Sequence, residues 1–108
     1  MKLKNPFSDN TRNMYLGLWK CMKCGQNGMG RGGLELHHIM GRISSSPFNA
    51  SVLCNECHSH IFHSLEEHRF LFLKNLEYLW SIDYKEDNND IDFLYQNENL
   101  VRNLEKVV

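Results

Sequence analysis

Apolar positions along this chain fall into short patterns separated by polar and glycine-rich stretches. Met1 to Ser8, with Pro6, reads as an arm; Ser8 or Asp9 then caps a helix to about Trp19, with Met14, Tyr15 and Leu18 turned inward. The glycines between Gly25 and Gly33 exclude a helix and predict a loop. Leu34 to Ile39 and Ala50 to Leu53 read as two short strands. The turn-rich segment from Gly41 to Phe48, with Ser44, Ser45, Ser46 and Pro47, joins them into a hairpin with a long loop. Beyond Cys57 the period becomes helical. Ser64 followed by Glu67 has the form of a capping box, and Leu65, Phe72, Leu76 and Leu79, widened by Leu73 and Trp80, predict a core-facing helix to about Ser81. The polar, acidic stretch Asp83 to Asp90 reads as a linker. Ile91, Leu94, Leu100, Leu104 and Val107 predict a last amphipathic helix over about 90–106.

At 108 residues the chain is expected to form a single α+β domain, since two separate cores would each be marginal. A hydrophobic share of 42% with a mean hydropathy of -0.49 leaves that core modest and predicts a staple. The cysteines supply one. Cys21-Met22-Lys23-Cys24 and Cys54-Asn55-Glu56-Cys57 are two CxxC pairs, a spacing that lets one tight turn aim both thiolates at the same ion. A closed four-sulfur shell suits zinc. With no secretory signal or apolar run of membrane-spanning length in the sequence, the expectation is a soluble, cytoplasmic protein in a reducing compartment, where paired cysteines hold metal rather than form disulfides. Redox CxxC chemistry fits less well, because each pair flanks the hairpin instead of opening a helix in an α/β unit.

The 29 residues between Cys24 and Cys54 exceed the spacing of a short zinc ribbon, and candidate chemistry lies within and just after them. His37 and His38 project to opposite sides of the first strand and can take different roles, such as metal ligand and general base. Asn49 opens the second strand, where its amide can brace the long loop against the His38 segment. His58 directly follows Cys57, with His60 and His63 close behind as ligand, phosphate contact or bystander; His68 reads as an ordinary surface or core histidine. Arg42 and Ser44 to Ser46 are candidate phosphate contacts.

The segments LELHHIMGR and FNASVLCNECHSHIFH, within about Lys20 to His63, resemble the HNH nucleases of the His-Me finger, or ββα-metal, class that carry a CxxC…CxxC zinc site. The resemblance implies that His37 is the first ligand of a catalytic Mg²⁺ or other divalent ion, His38 the general base, Asn49 the loop-orienting asparagine and His58 the last ligand. It further implies DNA as substrate and an origin of the phage or mobile-element kind, in a bacterial host. Many relatives carry a further histidine where this chain has Phe62; His63 stands one residue later and is the alternative ligand.

The charge balance bears on this reading. A net charge of -1 is low for a nucleic-acid binder, but Lys2, Lys4, Arg12, Lys20, Lys23, Arg31 and Arg42 lie in the first half and can form a local basic face. Two alternatives stay open: a non-catalytic zinc module that binds nucleic acid or a protein, and a nuclease fold acting as an accessory protein. The C-terminal helices are candidate contacts for a partner or a second copy.

Overall fold

The computed structural model describes residues 6–15, 17–18, 20–27, 33–60 and 64–101. It is a small α+β fold. In chain order come α1 (Asp9–Met14), β1 (Leu34–His38), a 3-10 turn (Pro47–Asn49), β2 (Ala50–Cys54), α2 (Asn55–Ser59), α3 (Leu65–Ser81), α4 (Asn88–Gln96) and α5 (Glu98–Val101). Among the described residues no helix is long and apolar enough to cross a membrane.

β1 and β2 form a two-stranded antiparallel sheet whose register runs from Leu34 opposite Cys54 to His38 opposite Ala50. Opposite residues share a face, so Glu35, His37, Ser51 and Leu53 lie on one side and Leu34, Leu36, His38, Ala50, Val52 and Cys54 on the other. A two-stranded ribbon needs cover to be stable. All five residues of β2 are buried, whereas only His37 and His38 are buried in β1.

α3 supplies the largest part of the core. Ser64 caps it by accepting the Glu67 N–H (3.1 Å), while the Glu67 carboxylate, expected to reach back to the cap, pairs with Lys23. Leu71, Phe72, Leu76 and Leu79 are buried. Leu65 and Trp80, expected on the same inward stripe, are instead 43% and 70% exposed: Leu65 opens the helix at its first residue, and Trp80 projects off the face on which Leu79, at the same end, is buried. The buried face also carries Asn75, which accepts from the Tyr15 hydroxyl (2.6 Å) and donates to the Pro47 carbonyl (2.7 Å). One side chain thereby ties α3 to the end of α1 and to the 3-10 turn. Burial drives the Tyr15 hydroxyl pKa upward against the lowering effect of Asn75, so it stays a donor.

The segment Asp83 to Asp90, expected as a linker, is an irregular connection only as far as Asp87; Asn88 to Asp90 belong to α4. Asp87 and Asp90 form a reciprocal capping box that starts α4 at Asn88, and Asp90 is itself buried. The expected last helix is divided: α4 ends with Asn97 as its C-cap, and the turn α5 follows, placing Phe93 and Leu100 in the core. α1 is shorter than expected, ending at Met14 with Tyr15 as its C-cap. Trp19, Leu104 and Val107 lie outside the described residues.

Phe72→Ala should cost about 3–5 kcal/mol by removing a fully buried ring, whereas Leu65→Ala should cost under about 0.5 kcal/mol. Urea unfolding of the metal-loaded protein checks both; equal losses would contradict the assigned helix face.

Candidate metal centre and histidine site

The two CxxC turns meet although 29 residues separate them. All four sulfurs lie within 4.8 Å of one another, with Cys24 Sγ and Cys54 Sγ 4.0 Å apart. A tetrahedral ion with bonds of about 2.3 Å to sulfur needs neighbouring sulfurs about 3.8 Å apart, so the cluster fits one. Local backbone shapes each half. Gly25, at φ 76°, turns the first loop back so that its N–H donates to the Cys21 carbonyl (2.9 Å). The N–H groups of Lys23 and Cys24 face Cys21 Sγ at 3.4 and 3.5 Å, and that of Cys57 faces Cys54 Sγ at 3.4 Å, a cradle suited to thiolate. The first loop is fastened to the hairpin where Met22 N–H donates to the Val52 carbonyl (2.8 Å). Burial, then the neighbouring Cys54, Cys21 and Cys24 thiols, push the Cys57 thiol up to about 12. A metal ion that binds here must therefore displace protons.

His37 and His58 come together across the hairpin and α2. Nδ1 of His37 lies 3.2 Å from Nε2 of His58, with the rings edge to face. The pair can share a proton, or present two nitrogens to one cation, since bonds of about 2.1 Å place neighbouring ligand nitrogens roughly 3 Å apart. Glu35, on the same sheet face as His37, has Oε2 2.5 Å from Nδ1 of His58, and its Oε1 accepts from Asn55 Nδ2 (3.3 Å). A carboxylate on Nδ1 holds the proton there and leaves Nε2 as the electron-pair donor. Among the described residues the four cysteines are the one group of three or more metal-ligating side chains; His63 lies outside those residues.

His38 stands on the opposite face at the end of β1. Its ring stacks on Phe7 with centroids 3.9 Å apart and planes 13° from parallel, and only 9% of the residue is exposed. Stacking fixes the ring plane while leaving its nitrogens on the edge. Asn49 governs the chain just beyond. Its carbonyl accepts Ile39 N–H (2.7 Å), its Oδ1 accepts Met40 N–H (2.8 Å), and its Nδ2 donates to the carbonyls of Gly41 (2.9 Å) and Ser44 (3.0 Å). Gly41, at φ 75°, turns its carbonyl into that grip. The asparagine is fully buried and acts by geometry.

The remaining candidates divide. Arg42 is exposed on the loop that Asn49 braces. Ser44 and Ser46, expected to face phosphate, are buried and turned inward: Ser44 Oγ accepts the Ser46 N–H, and Ser46 Oγ donates to Asp90 and accepts the Phe48 N–H. His60 donates from Nδ1 to the Glu56 carbonyl of its own helix (2.9 Å). Glu35 and Phe7 were not among the sequence candidates. Glu35 had a signal, because two residues before His37 in a strand is the same face. Phe7 had none, since the arm's path over His38 is tertiary.

No family model, curated protein or solved structure matches the chain.

Titration with Co²⁺ should give thiolate-to-cobalt absorption, lost in Cys54→Ser, with an affinity that rises from about pH 6 to about pH 8 as the ion displaces thiol protons. An affinity independent of pH, or a spectrum without sulfur ligation, would refute the four-thiolate centre.

Proposed function

We propose that the chain is a metal-dependent HNH endonuclease of the ββα-metal kind that hydrolyses phosphodiester bonds in DNA, with structural zinc at Cys21, Cys24, Cys54 and Cys57. The observation that carries this reading is the placement of two different histidine environments on the two faces of one strand end. On one face, His37 and His58 offer paired nitrogens backed by a carboxylate; on the other, His38 is stacked on Phe7 beside the chain that Asn49 braces.

In this mechanism His38 accepts a proton from water as the water oxygen bonds to phosphorus in line; the opposite P–O bond breaks, and the departing alkoxide takes a proton from solvent. Phe7 holds the imidazole plane, and Asn49 holds the strand end that carries it. His37 and His58, with His63 as a further candidate, would hold Mg²⁺ or another divalent cation, which would supply positive charge against the phosphate. Glu35 keeps the His58 donor nitrogen directed at that position. Arg42, at the rim, is suited to a bidentate contact with a neighbouring phosphate.

Zinc-loaded protein given Mg²⁺ or Mn²⁺ should nick supercoiled plasmid. His38→Ala should lower the rate by about 100- to 10,000-fold without loss of zinc, and Glu35→Gln should weaken divalent binding about 10- to 100-fold. Absence of cleavage by folded wild-type protein across several metals would reject the nuclease and favour a zinc module that binds a partner.

A further inference from the structure

The acidic segment 83–92 takes no direct part in the site, yet one of its carboxylates, Asp90, is only 1% exposed. Removing such a group from water is costly unless its lone pairs are filled. Here they are. Oδ1 accepts from Ser46 Oγ, while Oδ2 accepts from the Tyr84 hydroxyl (2.5 Å) and the Asp87 N–H (2.9 Å). A helix cap alone needs only the Asp87 contacts, and these could face solvent. The contact that reaches out of the C-terminal segment is the one to Ser46, 44 residues earlier.

Ser46 is fully buried and every polar atom is engaged. With its hydroxyl hydrogen committed to Asp90, its lone pairs face the Phe48 N–H (3.1 Å). Its own N–H donates to Ser44 Oγ (3.0 Å) and its carbonyl accepts the Asn49 N–H (2.9 Å). Ser46 is thus the cap of the 3-10 turn whose last residue is Asn49. The same loop returns the Ser44 carbonyl to Asn49 Nδ2.

We propose that Asp90 is a positioning residue for the histidine site: through Ser46 it sets the 3-10 turn that aims the Asn49 amide, and through that amide the end of the strand carrying His38. The kinetic part of this inference rests on the nuclease reading; the geometric part does not.

Two readouts test it on the full zinc-loaded chain. The first is DNA cleavage resolved into kcat and KM. The second is hydrogen exchange of the Asn49 side-chain amide by NMR, which requires no activity. Asp90→Asn and Ser46→Ala should each lower kcat about 10- to 100-fold with KM nearly unchanged, and each should speed exchange of that amide. The double variant should cost no more than the worse single one, because both cut the same path. Tyr84→Phe removes a different Asp90 contact and should lower Tm while keeping kcat and the protected amide. Should Asp90→Asn not fold, Ser46→Ala breaks the path from its other end and carries the same expectation. Retained protection of Asn49 in Asp90→Asn or Ser46→Ala would overturn the proposal, as would an equal kcat loss in Tyr84→Phe. If wild-type protein cuts no DNA the nuclease reading fails, and Asn49 exchange alone decides the positioning role.

Discussion

Crowding four thiols within 4.8 Å is a poor arrangement for protonated sulfur and a good one for thiolates around a cation, and the rest of the fold is hung on that choice. The cluster is the point where the chain before the hairpin meets the chain after it. Cys54 ends β2 and Cys57 lies in α2, so holding them also sets the direction in which α2 leaves the sheet. His58 inherits its position from that departure. Hydrophobic burial alone, in a core of this size, leaves the two loops weakly constrained, because β1 is half open and the first CxxC loop touches the sheet mainly through Met22.

At the far end of the hairpin a different device operates. There a network of buried amide, hydroxyl and carboxylate groups, Asn49, Ser46, Asp90 and Asn75, is satisfied group by group. Such networks rigidify when every member is satisfied, and each contact constrains the groups it joins. α4 thus serves the loop rather than forming an appendage, and the raised pKa of Tyr84, caused by burial and then by Asp90, keeps its hydroxyl a donor to Asp90.

Much of this was readable in the residues because it follows local rules. The hairpin, the long helix after Ser64 and the paired cysteines each follow from spacing, and opposite projection of His37 and His38 follows from a period of two. What escaped depended on partners distant in sequence. Asp83 to Asp90 has the composition of a solvated linker; beside the local donors from Tyr84 and Asp87, Asp90 takes one from Ser46, 44 residues earlier. Ser44 and Ser46 have the chemistry of phosphate contacts but face inward because that network claims them. Leu65 obeys the helical period but stands at the first residue of the helix, whereas Trp80 lies off the face that Leu79 buries.

The alternation of the strand has a further consequence for how this protein can change over time. If β1 slipped by one residue against β2, every side chain would exchange faces, and His37 and His38 would trade environments. Both ends of the hairpin are tied down against such a slip, the cysteine cluster at the Leu34–Cys54 end and the Asn49 grip at the His38–Ala50 end. A single-residue insertion or deletion inside 34–38 or 50–54 that shifts the register therefore exchanges those environments even where it spares every side chain. Substitutions that keep the register leave each histidine on its own face, so the site depends more on the length of the two strands than on their composition.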